Sequence, residues 1–284
     1  MNAINSTQLI EFANSGSIAS QIFAGISIVI LVYIVLNLLA FMFNRVVNVF
    51  VSTPLILDGM QSASTGFKVS QDPHRGNSKL LKRSANEKNG IEFTYSMWMN
   101  IDSWENQQPI WKHVLHKGPQ YDMDVTKTKE PHEFCEIQAP GIWIHPNTNT
   151  IRVYMNTYDS VKEYVDIANI PIKKWFHIAV ILSHRNLDIY INGFLKRRLK
   201  LKGVPRQNYY DLYMTENGGF HGYLSSFQYF NYVLAPSQIY DLAKAGPSLK
   251  ENSQGHQQTE TLTHMVNNQP YLSNRWWVED ITMN

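Results

Sequence analysis

The 284-residue sequence predicts an all-β fold, an antiparallel β-sandwich, preceded by a single transmembrane α-helix. Three observations predict it. Residues 175–195, WFHIAVILSHRNLDIYINGFL, read as strand, polar corner, strand and tight turn. Further strand-like segments stand before and after it in the chain. An uncharged apolar run from Ile22 to Phe43 precedes them all.

Residues 1–19 form a short tail and 20–44 contain the apolar run, rich in Ile, Leu, Val and Phe. At ~1.5 Å per residue the uncharged stretch reaches ~33 Å, enough to cross a hydrocarbon core of ~30 Å. A cleaved signal peptide carries a basic start and a shorter apolar segment. Here Glu11 precedes the run and no Lys or Arg does. Arg45, Lys68, Arg75, Lys79, Lys82 and Arg83 follow it, and basic residues are retained on the cytoplasmic side. The expected topology is single-pass, N-terminus exoplasmic and sandwich cytoplasmic. Asn5-Ser6-Thr7, the one glycosylation sequon, then falls on the exoplasmic tail. Gly16, Ser20 and Ala24, spaced by four, are candidates for a small-residue face through which two such helices pair, and Asn37 is a candidate for bonding a neighbouring helix. Residues 45–89 read as a polar, basic connector, either a solvated linker or a segment that meets anionic lipid heads.

The sandwich is expected over 90–248. Ile91–Ile101 is its first strand, with Phe93, Tyr95, Met97 and Met99 on one face. Gly141–Thr157 is a hairpin turning at Pro146-Asn147-Thr148-Asn149. Phe176–Leu182 is apolar on both faces, as a central strand should be. In the next strand Leu187, Ile189 and Ile191 oppose Asp188, Tyr190 and Asn192. Asn192-Gly193 suits a two-residue turn with positive φ at both positions, returning a strand over Phe194–Leu201. Phe220–Gly246 holds a closing strand and a short helix that starts at Pro236 and stops at Gly246-Pro247. Residues 249–284 are a polar linker leading to Arg275-Trp276-Trp277-Val278.

These segments, in this order and spacing, resemble the laminin-G-like, concanavalin A-like jelly-roll sandwiches. The resemblance covers about residues 90–248 and implies a recognition domain, a lectin or, in some relatives, a glycoside hydrolase. The laminarinase-like branch of those hydrolases carries its two carboxylates on a Glu-x-Asp-x-x-Glu strand. The nearest segment here, Glu130-Pro-His-Glu133-Phe-Cys-Glu136, lacks the Asp, and on a regular strand Glu133 and Glu136 would face opposite sides. No enzyme is expected. Many laminin-G-like domains hold calcium at one rim, which makes Asp122, Asp124 and Glu216 its candidate ligands. No other cofactor is expected. Where such sandwiches usually carry an acidic residue after Gly222-Tyr223-Leu224, this chain has Ser225-Ser226.

Other chemistry is sparse. A formal charge of +2 makes no case for nucleic acid. The single cysteine, Cys135, excludes an intrachain disulfide and reads as a buried structural thiol, favouring a reducing compartment. His113 and His116 stand at an odd separation on a probable strand and are not expected to converge. Lys196, Arg198, Lys200 and Lys202 alternate onto one face, either to guard a sheet edge or to meet an acidic partner. Trp276 and Trp277 either dock on the sandwich or anchor in a partner. Trp98, Trp104, Trp111, Tyr154 and Tyr158 are candidates for stacking on sugars, though most aromatics of a sandwich this size are core.

The expectation is a non-enzymatic, membrane-anchored scaffold whose partners are the bilayer, another structural or coat protein, and its own copies through the helix. It is similar to anchor-plus-sandwich chains of large DNA viruses, which implies a minor capsid or membrane-associated role at an internal virion membrane. The alternative is a carbohydrate-binding module, which implies an exoplasmic domain.

Overall fold

The computed structural model describes residues 16, 18–50, 53–75, 78–85, 90–103, 110–121 and 130–251. The chain divides into two compact units at Val51/Ser52. In the first, α1 (Ile18–Phe50) is a 33-residue helix. The four successive residues Ile28, Val29, Ile30 and Leu31 are 61%, 68%, 53% and 62% exposed. At 100° per residue they point around the whole axis, so the helix is apolar on every side. Among the described residues no helix is long and apolar enough to cross a membrane. The side chains of α1 described without a break run from 25 to 39, about 22 Å of helix at ~1.5 Å per residue. Gly16 precedes the helix with φ +66°, so it does not share a helical face with Ser20 and Ala24.

The second unit is an antiparallel two-sheet sandwich. Sheet A contains β1 (Leu55–Ser62), β3 (Glu92–Ile101), β8 (Trp175–Ser183), β9 (Asn186–Ile191), β10 (Phe194–Lys200) and β12 (Gly222–Phe230), in the order β1-β12-β3-β8-β9-β10. Sheet B contains β2 (Phe67–Val69), β4 (Lys112–Lys117), β5 (Gly141–Ile144), β6 (Thr150–Tyr154), β7 (Tyr164–Ala168) and β11 (Leu212–Met214), in the order β2-β11-β4-β5-β6-β7. Two helices join them: α2 (Pro131–Phe134) and α3 (Pro236–Ala245).

Alternation decides what is inside. Phe93, Tyr95, Met97, Met99 and Ile101 of β3 face Ile142, Ile144, Ile151 and Val153 of sheet B in one core, with Leu187, Ile189 and Ile191. The odd residues of β8 and the even ones of β9 point out: Ala179, Ile181 and Tyr190 pack under α3 at Ile239, which is why β8 is apolar on both faces. Asn192 and Gly193 turn at φ +51° and +86°, as expected of the tight turn. In α3, Pro236 occupies the first turn, the Gln238 side chain accepts the Ala235 N–H at 2.9 Å, and Gly246 ends the helix with φ +79°.

The connector expected over 45–89 is not simply a linker. It supplies β1, paired to β12, and β2, paired to β11. Register shifts near Asp58-Gly59 break the alternation of β1, and β2 is three residues long. Residues 78–85 also lie on the sandwich, where Lys82 O accepts from Tyr229 Oη at 2.7 Å and Ala85 N–H donates to Asn231 O at 2.8 Å.

Candidate functional site

The outer face of sheet B carries the densest polar chemistry. His113 and His116 both face outward there, against the expectation that an odd separation parts them. The reason is a register shift between His113 and Leu115: Val114 and Leu115 both enter the core, and the next residue returns to the outer face. Glu216, after β11, completes a group whose ligand atoms all lie within 4.8 Å of one another.

Two imidazoles and a carboxylate suit a transition metal better than calcium, which takes six to eight oxygens. The hydrogen bonds argue against a metal. Glu216 N–H donates to His113 Nδ1 at 3.0 Å, so the proton of that ring sits on Nε2. It is donated to His116 Nδ1 at 2.9 Å, and His116 Nε2–H goes on to Pro119 O at 3.0 Å. Every ring nitrogen is satisfied with both imidazoles neutral. A metal on His113 Nε2 would force a proton onto Nδ1, against the Glu216 N–H. Burial matches this, holding His113 well below the usual imidazole range and His116 at about 4. Burial also lifts the Glu216 carboxyl to about 6, and its Oε2 is buried without a hydrogen-bond partner. The other calcium candidates, Asp122 and Asp124, lie outside the described residues.

Beside this relay stands Arg152, unsignalled except as a lone charge in the apolar run IRVYM. Its guanidinium forks onto Asp166 at 2.7 and 2.9 Å and reaches Glu130 at 2.6 Å. It lies 3.8 Å from the Tyr164 ring centre and 4.7 Å from that of Trp111. Glu130 opens a segment that lies over the sheet. Phe134 and Cys135 meet Trp143, and Gln138 bonds the Trp143 indole at 2.8 Å. Glu133 therefore sits on the short helix α2, and Glu130 is bound to an arginine. Cys135 is buried as expected, its thiol pushed up by burial. Of the proposed sugar-stacking aromatics, Trp98, Trp111 and Tyr154 are buried, Trp104 lies outside the described residues, and Tyr158 is exposed.

Tyr158 belongs to a rim. A bridge from Thr157 to Pro205 joins its loop to the loop before β11, with Tyr158 N–H donated to Val204 O at 2.9 Å. Together they expose Tyr158 (70%), Val204 (56%), Tyr209 (71%) and Tyr210 (48%). Arg206 approaches the Tyr158 ring, and Arg83 lies 4.6 Å from the ring centre of Tyr209. Lys117 sets the second loop: its buried ammonium donates to Asn208 O at 3.1 Å and Tyr210 O at 2.7 Å. Asn208 Nδ2 returns a bond to Lys117 O at 2.8 Å, and burial lowers the lysine to about 8. Of these residues the sequence marks only Tyr158, as a candidate for stacking on sugars; single exposed side chains leave no periodic signal, so Val204, Tyr209 and Tyr210 go unmarked.

The basic residues after Gly193 do not share one face. A register shift between Leu195 and Arg197 leaves Lys196 in a bulge. Arg198 lies opposite Asp188 and forks onto it at 2.6 and 2.7 Å. Lys200 follows on that face, while Lys202 is past the strand, where its N–H donates to Glu163 Oε2 at 2.6 Å. Trp276 and Trp277 lie outside the described residues.

A family model described as concanavalin A-like lectin/glucanases superfamily matches residues 75–240, more than half of the chain. The chain belongs to this superfamily. The two sheets, their core and α3 fall within the matched region, apart from β1 and β2, which precede it, and the end of α3, which follows it. No curated protein matches the chain. Among solved structures it is similar to the botulinum neurotoxin serotype D/C VPI 5993 binding domain, with 16% identity over 69% of this chain and 47% of that one (TM-score 0.44). It is also similar to the serotype G binding domain, with 15% identity over 68% of this chain and 46% of that one (TM-score 0.43). The chain thus spans about half the length of these structures.

Proposed function

We propose that this superfamily member is a non-enzymatic interaction protein, held at a membrane by α1, which binds another protein through its tyrosine rim. The observation that carries the reading is the rim itself. Tyrosine and arginine are the residue types that dominate binding hot spots, because they offer large amphipathic area at small entropic cost. Here Lys117 fixes the loop that presents Tyr209 and Tyr210. The absence of an enzyme is supported by Glu130, which is committed to Arg152, and by α2, which breaks the acidic segment.

The anchor is supported by a helix apolar on all its described sides and by a sequence free of charge from Ile22 to Phe43. Basic residues after the run and none before it support a cytoplasmic sandwich. Within this reading the partner is a coat or other structural protein, and the setting is an internal virion membrane. A second reading, glycan binding by the same rim, is favoured by the exposed tyrosine rings, which can stack on sugars; it requires an exoplasmic sandwich.

Protease treatment of microsomes carrying the full chain separates the two. Digestion of the sandwich with the vesicles intact is expected; protection overturns the topology and advances glycan binding. Recovery of a protein partner from gently solubilised membranes should fall more than tenfold, ~1.4 kcal/mol, in a Tyr158→Ser/Tyr209→Ser variant. Unchanged recovery removes the rim from the proposal.

A further inference from the structure

Between β2 and β3 the chain presents basic and apolar side chains together. Residues 53–85 hold five Lys or Arg against two Asp, a net charge of +3, where the whole chain carries +2. Within them, 79–83 reads Lys-Leu-Leu-Lys-Arg. Its backbone is fastened to the sandwich. Lys79 O accepts from Gln71 Nε2 at 3.0 Å, and Leu81 N–H donates to Gln71 Oε1 at 2.8 Å. Lys82 O accepts from Tyr229 Oη, and Arg83 O accepts from Asn231 Nδ2 at 2.9 Å. Leu81 enters the core, which leaves Lys79, Leu80, Lys82 and Arg83 exposed on a backbone that cannot turn them inward.

Lys79 fixes this segment at the point where the chain enters the sandwich. Its ammonium donates to Leu55 O and Ile56 O, each at 2.8 Å. Leu55, whose carbonyl it holds, and Leu80, the next residue, are both exposed. Leu55 follows Phe50, the end of α1, by five residues, so the sequence allows at most ~18 Å of extended chain between them. The acids near by are largely matched. Asp211 is taken by Lys68 at 3.0 Å, Asp72 faces Arg75 at 3.8 Å, and Asp58 of β1 is the other acid of the stretch.

We propose that the 79–83 segment rests on an anionic lipid surface, with Lys82 and Arg83 among the headgroups and Leu55 and Leu80 against the apolar boundary beneath them. The inference rests on the reading of α1 as an anchor and names the lipid that the anchored chain selects. The cytoplasmic leaflet is the anionic one, and each basic side chain near it shifts the contact equilibrium about fivefold. Exposed leucines add to this, since they leave water on contact. An acidic protein would also satisfy the cations, but the tether favours lipid, which it keeps within reach of Leu55 at all times.

The test places a nitrobenzoxadiazole fluorophore on a Leu80→Cys variant of the full chain, Cys135 being buried and out of reach of the label. The chain is held in phosphatidylcholine nanodiscs that contain a headgroup-nitroxide lipid as quencher. Replacing about a third of the phosphatidylcholine with phosphatidylserine should raise quenching about twofold or more, and ~0.5 M salt should reverse the gain. Lys82→Gln/Arg83→Gln should lose most of it. A label at Phe194→Cys, exposed on β10 at the opposite edge of sheet A from β1, should stay unquenched. If the chain co-elutes with the discs and quenching ignores phosphatidylserine, or is as strong at residue 194, the inference falls and the anchor stands. A chain that fails to enter the discs overturns the anchor, and the inference with it.

Discussion

Arg152→Lys keeps a positive charge on β6 and removes the guanidinium fork, so it separates charge from geometry at the point where the 130–138 segment is held. Arg152 is 8% exposed, and it loses three charge-assisted contacts, two to Asp166 and one to Glu130. Breaking a buried pair costs ~3–5 kcal/mol, but the partner side chains are 44% and 40% exposed, so water re-solvates them and the cost shrinks. Loss of stacking on Tyr164 and Trp111 adds ~0.5–2 kcal/mol. The two together give ~2–4 kcal/mol for Arg152→Met. Lysine keeps a point charge but neither the fork nor the stack and should lose more than half as much. At ~2–4 °C per kcal/mol for a domain of this size, the methionine variant should melt ~5–15 °C lower. Near-ultraviolet circular dichroism follows the melt, and hydrogen exchange should rise selectively over 130–138. A lysine variant within ~0.5 kcal/mol of the parent would refute the argument, because charge alone would then be holding the segment.

Acid should loosen the sandwich through its buried imidazoles. Burial holds His177 at about 3 and His116 at about 4, with His113 also well below 6.5. Below ~6.5 the unfolded chain gains protons that the fold refuses, so this stability is complete above that pH and is lost as pH falls to about 4 for His116 and about 3 for His177, at up to ~1.4 kcal/mol per pH unit for each histidine. Glu216, raised to about 6, opposes the loss, since the fold keeps a proton there that the unfolded chain releases above ~4.5. The urea midpoint should fall between pH 7 and pH 5; a flat profile contradicts the neutral relay. Cys135 should resist a maleimide in the native state and react fully in denaturant, read by mass shift. Gly193→Ala places a Cβ 3.1 Å from the Tyr240 backbone at φ +86°, which should cost ~1–2 kcal/mol in chemical unfolding.

What the sequence disclosed depended on whether a strand kept its period. β8, β9 and the Asn192-Gly193 turn were legible because alternation and turn chemistry agreed over twenty residues. β1 was not, because Asp58-Gly59 and two register shifts interrupt its alternation. One shift at Val114-Leu115 hid the His113–His116 pair, and another after Leu195 dispersed a basic strip that had looked continuous. Each extra residue in a strand reverses the faces beyond it, so a reading by parity fails at the bulge and everywhere after it. Contacts between distant segments, such as Lys117 with Tyr210, leave no periodic trace.

Those hidden contacts bear on the proposed placement of recognition at the rim. On a sandwich each outer face is a broad surface with room for a ligand. On sheet B that surface is occupied by the chain itself: Gln138 and Phe134 lie on Trp143, and Arg152 ties Glu130 down. On sheet A, α3 occupies one half and the 248–251 strap crosses toward the other. A ligand over Trp143 or over Ala179 and Ile181 would have to displace bonded protein, whereas the loops joined at Thr157–Pro205 present tyrosines already in water. Binding at the rim displaces water from apolar rings and leaves the hydrogen-bonded cover intact, which is the less costly route by the desolvation of every buried partner it spares.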